Sequence, residues 1–454
     1  MANILLLTYM FPPAGGIGTP RALAYTRYLP RPNCRLSVLA PTNPALRDHD
    51  PSLHELVPSD VTVHRAWTPE LPMSLRDRIW RGRKLNASKQ DGFGISPAGW
   101  VTKPLRWLAH HMLFPDPQVL WVPSAFRKAC RVIEQDSIDT IIVSMPPYSL
   151  LKLALALKAQ FPYLKLITDF RDEWLGYYLS QIDHPTEEKV RRAWELEAEA
   201  VHASAYVSTV TETWVERLRR RYPSETPAKF VCTPNGYDPE LFRDFKPRRR
   251  KDGKIVITYF GTVHDNRVYS PANYVAAMEG LPSSIRDRIE TRFIGRVIGG
   301  SRRLLSHTQA NIRLLGFMPK REGIRHLQDT DLLLLIATDP SSHAGKLFDY
   351  LACGKPILAL SPPGGEIDRL LRITGTGWCA DPWDTNAIQQ MVLSACQQLQ
   401  QGTAVINPNH EAVKSYAWPQ ILSRFATAVG LAPAVEPILP ATAPAHETTM
   451  NARA

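Results

Sequence analysis

The sequence predicts an α/β protein with two doubly wound parallel-sheet domains. Short apolar runs alternate with helical patterns through the first half of the chain, and a second series of the same kind begins near residue 254. A polar, basic and proline-containing stretch separates the two series. Because parallel strands are joined by right-handed crossovers through helices, each series favours one sheet covered by helices.

The first series predicts a domain over residues 1–235. Residues 71–118 interrupt its alternation and are rich in Arg, Trp and Pro, so we predict an insertion there. The predicted strands are residues 3–9, 35–41, 61–67, 140–145, 164–170, 205–210 and 230–234, and the helical patterns lie near 18–29, 121–135, 148–160, 187–203 and 211–221.

The second series predicts a domain over residues 254–409, reached through a linker at 236–253. A mixed helix is predicted at 410–430, and the tail at 431–454, rich in Ala, Pro and Thr, is predicted to be disordered. The predicted strands are residues 254–261, 291–295, 312–317, 331–337, 356–360 and 377–380.

Composition narrows the class of protein. The chain has 454 residues, 44% hydrophobic and 21% charged, as in soluble globular proteins, and no run reaches the roughly 18 apolar residues of a membrane helix. Six scattered cysteines without a C-x-x-C pair indicate reduced thiols and a cytoplasmic protein. The net charge of +11 suits an anionic substrate, an anionic membrane face or nucleic acid, without choosing among them.

One stretch predicts a phosphate site. The strand at 331–337 leads through a polar loop into a helix that is expected to begin near Gly345 and end at Gly354. A helix N-terminus after a parallel strand offers N–H groups and positive dipole charge to a phosphate, and Lys346 adds a formal charge. Asp349 lies on the same helix face and suits a ribose diol. The alternative is a strand–loop–helix unit that binds nothing.

Glycine-rich and charged loops follow two strands of the first domain. Gly15 and Gly16, with Ile17, suit either a tight turn or a loop that approaches substrate. Asp169, Arg171 and Asp172 close a buried strand, where ligands gather in parallel sheets. They are expected either to cap the sheet with an ion pair or to work as a group. In the second case Arg171 pins one carboxylate and leaves the other as a base.

Similar positions in the second domain predict donor contacts. Gly261 and Gly295 end successive strands and suit close backbone approach, while Arg267 is expected to face a diphosphate. His343 stands directly before the predicted phosphate helix, where a structural role is the alternative. No metal site is predicted, because the D-x-D pattern at 48–50 is short and no Cys/His spacing fits zinc.

These stretches together resemble the GT-B glycosyltransferases, specifically the retaining family four, and among them bacterial enzymes of surface polysaccharide, lipopolysaccharide and exopolysaccharide synthesis. The matching segments, which appear in the family's order, are PPAGGIGTPRALAYTRYL, FPDPQVLWVPSA, DTIIVSMPPYSLLKLALALK, ITDFRDEW, TPNGYDPELF, YFGTV and HAGKLFDYLACGKPILAL. The resemblance implies two Rossmann-like domains facing a cleft, with the last helix crossing back to the first domain.

The resemblance also implies site roles. A nucleoside-diphosphate sugar would bind the second domain, with Asp349 on the ribose, Lys346 on the pyrophosphate by its side chain and Leu347 by its backbone. The acceptor, a glycan or lipid-linked hydroxyl, would bind the first domain. No resident cofactor or metal is implied. Ser341 stands where many members have an acid that contacts the sugar, which leaves the donor sugar open.

Other functions stay open at this stage. A nucleotide-sugar epimerase of the same fold would convert donor without acceptor, and a catalytically inactive partner subunit would bind nucleotide without turnover. Nucleic-acid binding is not predicted, because no binding module is found. The basic, Trp-containing segments at 76–85 and 101–114 suggest contact with the inner, anionic face of a membrane, or form an ordinary solvated surface.

Overall fold

The computed structural model describes residues 1–16, 18–44, 49–70, 113–178, 186–248, 253–263, 270–402 and 406–433. Its Cα atoms divide into two compact units, the first built of Met1–Pro234 together with Ile421–Ala432 and the second built on Asn235–Gln420. Each unit contains one parallel sheet with helices, as the sequence predicts.

The first unit has a seven-stranded parallel sheet in the order β3-β2-β1-β4-β5-β6-β7. Both faces of the central strands are covered, so these strands are rich in Leu, Ile and Val without polar alternation. In β1, for example, Ile4 to Leu7 are fully buried. All seven predicted strands are confirmed. They are β1 Ala2–Thr8, β2 Cys34–Pro41, β3 Thr62–Ala66, β4 Thr140–Met145, β5 Lys165–Phe170, β6 Tyr206–Thr209 and β7 Phe230–Cys232.

Helices alternate with these strands. In the described residues they are α1 Thr19–Tyr28, α2 Val122–Gln135, α3 Ser149–Gln160, α4 Glu187–Ala203 and α5 Glu212–Arg221. Thr186 and Thr211 cap the last two by accepting the N–H of the residue three positions on. The predicted insertion at 71–118 lies outside the described residues up to position 112.

The second unit has a six-stranded parallel sheet in the order β10-β9-β8-β11-β12-β13. Its strands are β8 Ile255–Phe260, β9 Ile289–Ile294, β10 Ile312–Gly316, β11 Leu332–Ile336, β12 Ile357–Leu360 and β13 Gly377–Ala380. The strand order reverses between β8 and β11, which are neighbours in the sheet although four helices and two strands separate them among the described residues. Such a switch point is where open parallel sheets bind ligands.

The helices described in the second half begin with α6 Ala272–Glu279, α7 Ser283–Arg286, α8 Gly300–Ser306, α9 Lys320–Leu327 and α10 Lys346–Cys353. They continue with α11 Glu366–Thr374, α12 Thr385–Gln401, α13 His410–Lys414 and α14 Trp418–Ala428. Two helices separated by residues 415–417 therefore replace the single helix predicted over 410–430. Ile421–Ala432 belong to the first unit, where the Phe425 ring packs edge-on at 5.4 Å from that of Tyr25.

The described residues contain neither a membrane-spanning helix nor a cluster of metal ligands. No helix among them is long and apolar enough to cross a membrane. No group of three or more His, Cys, Asp or Glu side chains among them could hold a metal ion. Asp50, part of the D-x-D pattern, caps a short helical turn by accepting from the N–H and hydroxyl of Ser52.

Candidate functional site

The predicted phosphate helix exists and lies at the switch point of the second sheet. Helix α10 begins after Gly345 and ends at Gly354, which adopts the left-handed conformation with φ +61°. No side chain caps its N-terminus. A Cβ atom added to Gly345 would meet nothing within 4 Å, so there is open space beside the residue that precedes the helix.

Tyr350 fixes this helix against the sheet. Backbone pairing between β8 and β11 ends at Thr258 and Leu333, and beyond that point the Tyr350 hydroxyl bridges the two strands. It accepts the N–H of Phe260 at 2.8 Å and donates to the carbonyl of Leu334 at 3.1 Å. The helix N-terminus is therefore held at the opening between two diverging strands. The sequence analysis missed this role because the tyrosine shares the apolar face of the helix.

Lys346 lies in the first turn of α10 and folds back over β8. Its Nζ donates to the hydroxyl of Tyr259 and lies 4.0 Å from the centre of the Tyr259 ring. The Tyr259 hydroxyl in turn donates to the carbonyl of Thr262 at 3.0 Å. Burial lowers the pKa of Lys346 to about 7, because a charged ammonium loses its hydration there.

Gly261 and Gly295 make room for that lysine. Gly261 has φ +144°, and a Cβ atom there would stand 3.0 Å from Cε and 3.1 Å from Nζ of Lys346. Gly295 has φ +135°, and its Cβ atom would stand 2.2 Å from the Gly261 carbonyl oxygen. Both positions require glycine, and together they bring two strand ends and Lys346 to one place.

Asp349, the predicted ribose ligand, is buried in the same turn. Its Oδ1 lies 2.9 Å from Nζ of Lys320, the first residue of α9. Burial raises the pKa of the Asp349 carboxyl, while Lys320 opposes that effect. Lys320 is a second cation at the site that sequence analysis missed, because it comes from another helix and no local pattern marks it.

The structure corrects the predicted backbone role of Leu347. Its N–H donates to the carbonyl of Ala344 at 2.9 Å within the first turn, and its side chain is fully buried. The amide is therefore not open to a phosphate in this structure. Leu347 instead anchors the helix in the apolar core.

His343 and Ser341 pack into the same loop. The His343 ring is edge-on to Phe348 at 5.6 Å, with Nε2 3.7 Å from the carboxylate of Glu366. The N–H and the hydroxyl of Ser341 donate to Oδ1 of Asp339 at 3.0 and 2.8 Å. The other oxygen of Asp339, Oδ2, is buried without a hydrogen-bond partner among the described residues. In the loop where Ser341 replaces the acid of many similar enzymes, Asp339 therefore supplies a carboxylate.

A cavity of about 430 Å³ opens beside Gly295 at the carboxyl ends of β9 and β10. The Arg296 guanidinium lies 4.8 Å from the centre of the Phe317 ring, which is 63% exposed. The cavity is lined by residues 295–298, Arg302, Leu314, Gly316 and Phe317. It places an aromatic face and two cations beside Gly295, which contacts Gly261 next to Lys346.

In the first unit, Asp169 forms a buried ion pair with Arg21. The pair is bidentate, with Nε to Oδ2 at 2.8 Å and Nη2 to Oδ1 at 2.6 Å, and the Ser144 hydroxyl adds a third bond at 3.0 Å. Both charged side chains are at most 2% exposed. Of the two alternatives, the structure contains the ion pair that closes the sheet, and a role of Asp169 as a base stays a prediction.

Arg171 does not pin a carboxylate as predicted. Its guanidinium donates to the carbonyls of Met145 and Pro146 at 2.8 and 2.7 Å. Arg21 takes the predicted role, and it was missed because nothing in the sequence separates it from other arginines at a helix start. Asp172 is exposed, so its predicted role in catalysis stays a prediction.

The glycine loop after β1 packs on Arg171. A Cβ atom at Gly18 would stand 2.4 Å from both Nη1 of Arg171 and the sulfur of Met10. Gly16 has φ +97° and is exposed, and Gly15 is buried. Ile17 of this loop lies outside the described residues, as does Arg267 of the donor-binding set.

The two sheets, each with a switch point, and the open helix N-terminus after β11 define the GT-B fold class. Among solved structures, sucrose-phosphate synthase of Thermosynechococcus elongatus is similar with a TM-score of 0.61 and 13% identity, over 94% of this chain and 98% of that chain. HepE of Anabaena, in complex with UDP and glucose, is similar with a TM-score of 0.58 and 15% identity, over 94% and 99%. At such identities the likeness shows the fold.

Sequence comparisons are sparser. A probable glycosyltransferase of Pseudomonas aeruginosa, WbjE, is 28% identical over 151 residues, or 32% of this chain. Those residues span 36% of the length of that relative. No protein-family model matches the chain.

Proposed function

We propose that this protein is a glycosyltransferase that moves a sugar from a nucleoside-diphosphate sugar to a hydroxyl of a glycan or lipid-linked acceptor. The observation that carries the proposal is the position of Lys346, packed over Gly261 at an uncapped helix N-terminus beside open space. A diphosphate needs such cationic and N–H donors, and the helix dipole adds to them.

The chemistry follows from the leaving group. Cleavage of the sugar–phosphate bond puts negative charge on the departing diphosphate, and donors that are already in place stabilise it at no cost of reorganisation. Lys346 and the N-terminus of α10 supply that stabilisation from this chain's own residues. The proposed reaction is metal-independent and retains the anomeric configuration, as the sequence resemblance implies.

The ribose, the nucleobase and the sugar of the donor are assigned to residues of the second unit that lie near Lys346. The ribose is assigned to Asp349, whose carboxylate can accept hydrogen bonds from a diol and lies beside Lys320. The nucleobase is assigned to the cavity beside Gly295, where Phe317 offers a stacking face and Arg296 a cation. The donor sugar is assigned to the loop of Asp339, because its buried Oδ2 can accept a sugar hydroxyl.

The binding of UDP and glucose by HepE supports the assignment of a nucleotide-sugar donor. The acceptor and the place in surface polysaccharide synthesis rest on the sequence resemblance, and peripheral contact with an anionic membrane rests on the basic, Trp-containing segments of the sequence. Asp172 is the exposed acid near the end of β5 and is assigned to orient the acceptor hydroxyl.

Turnover of UDP-, GDP-, dTDP- and ADP-sugars, with and without lipid-linked acceptors, tests the proposal. Lys346→Met is expected to lower turnover of the preferred donor by roughly 10²- to 10³-fold, by analogy with loss of one oxyanion donor. Lys254→Met removes a lysine at the opposite end of β8 and serves as the matched control with wild-type turnover. Equal turnover of Lys346→Met and wild type would contradict the assignment.

The same assay separates the rival functions. Conversion of the donor without an acceptor would identify an epimerase. Nucleotide binding without turnover of any donor in the presence of acceptors would identify an inactive partner subunit.

A further inference from the structure

Tyr259 is the buried residue on which Lys346 rests. Its side chain is fully buried at the carboxyl end of β8, and its ring packs against Phe293 with centroids 5.5 Å apart. The hydroxyl accepts a hydrogen bond from Nζ of Lys346 and donates one to the Thr262 carbonyl at 3.0 Å. The Tyr259 hydroxyl is therefore fixed from two sides, by the sheet core and by the turn after β8.

The Tyr259 contact sets the direction of the ammonium group. A lysine ammonium carries three donor hydrogens on a flexible stem, and one of the three is used by Tyr259. The Tyr259 ring lies under Nζ and Gly261 lies beside it. No carboxylate forms an ion pair with Lys346 among the residues that the structure describes. In the described part of the chain, the two remaining hydrogens of Nζ are thus left for a ligand.

We propose that Tyr259 is a positioning residue, which holds the ammonium of Lys346 in the geometry that binds the diphosphate of the donor. The inference rests on the proposed function and deepens it. Tyr259 touches no substrate itself and acts through Lys346. Pre-organisation of this kind raises affinity because the ordering cost of the side chain is met before the ligand arrives.

Removal of the hydroxyl alone tests the idea. Tyr259→Phe keeps the ring under Nζ and removes the hydrogen bond, so affinity for the bound nucleoside diphosphate is expected to fall about tenfold, as for a hydrogen bond to a charged group. Affinity for the matching nucleoside, which lacks phosphates, is expected to stay unchanged. A merely structural role would weaken both.

The probes are UDP, GDP, ADP and dTDP with their nucleosides, titrated calorimetrically into the full chain. Tyr274→Phe is the matched control, because that tyrosine is equally buried in the same unit and its hydroxyl bonds Thr291 at 2.8 Å, away from Lys346. A double-mutant cycle completes the test: in the background of Lys346→Met, Tyr259→Phe is expected to cause no further loss.

The outcomes separate the two proposals. If wild type binds none of the nucleoside diphosphates, the proposed function fails. If Lys346→Met weakens the diphosphate but Tyr259→Phe binds it as wild type does, the function stands and the role of Tyr259 is overturned. Additive losses in the double mutant would also overturn it. Thermal melting of each variant shows whether it is folded, and a Tyr259→Phe protein that fails to fold is replaced by Tyr259→Leu, which fits within the same space and lacks that hydroxyl.

Discussion

At the scale of single residues, burial decides which charged groups are available for chemistry. Lys346 is half-buried against Tyr259 without a carboxylate partner in the described residues, and its pKa falls to about 7. Asp169 is fully buried, yet Arg21 and Ser144 use both of its oxygens. The first group is ready to bind an anion, whereas the second is already satisfied.

The ion pair of Asp169 predicts a stability effect. Asp169→Asn would leave Arg21 charged and buried without its counterion, which is expected to cost about 3 kcal/mol of unfolding free energy in urea denaturation. Glu188→Gln is the control, because its pair with Arg191 is exposed to solvent and its loss is expected to leave the unfolding free energy nearly unchanged. A protein with Asp169→Asn that unfolds at the wild-type urea concentration but lacks activity would instead support Asp169 as a base.

At the scale of elements, two glycine turns hold the site together. Gly261 and Gly295 end adjacent strands, and both lie at positive φ where a side chain is strained. Their close contact brings the turn after β8 against the start of the cavity. Lys346, the proposed ligand of the diphosphate, therefore lies close to the cavity that is proposed to bind the nucleobase.

Gly295→Ala is therefore expected to disrupt the site. Its Cβ atom would stand 2.2 Å from the Gly261 carbonyl oxygen, and φ is +135°, so we expect a loss of at least about 2 kcal/mol in stability. Gly345→Ala, at φ −55° with nothing within 4 Å, is expected to change stability by less than about 0.5 kcal/mol. Thermal unfolding measures both. Equal melting of the two variants would show that the glycine contact does not matter.

The sequence predicted elements better than it predicted partners. Helix α10 begins and ends where Gly345 and Gly354 place it, because backbone freedom is a local property. The partners of Asp169 and Asp349 are Arg21 and Lys320, which are distant in the chain. Such pairs depend on how helices pack on the sheet, and no spacing in the sequence encodes them. Leu347 was assigned by resemblance, and its N–H has an acceptor within its own turn.

At the scale of the whole molecule, the sheets establish the fold class, whereas the proposed reaction depends on the side chains of the site. Two parallel sheets with the orders 3-2-1-4-5-6-7 and 10-9-8-11-12-13 establish the fold class. Fold alone does not determine reaction, since function depends on the side chains placed at the strand ends. The proposed glycosyl transfer therefore depends on the groups around Lys346, and chiefly on whether they bind a diphosphate.

The pH dependence of nucleotide-sugar affinity tests that claim most directly. Free Lys346 has a pKa of about 7, below the ordinary lysine value, and a bound diphosphate would raise it. Above that pH the free protein must take up a proton to bind, so wild-type affinity is expected to fall by up to about tenfold per pH unit from about pH 7 to pH 8. Lys346→Met is expected to bind weakly and without that decline. Equal affinities of the two proteins at every pH, or no binding by wild type, would contradict the account.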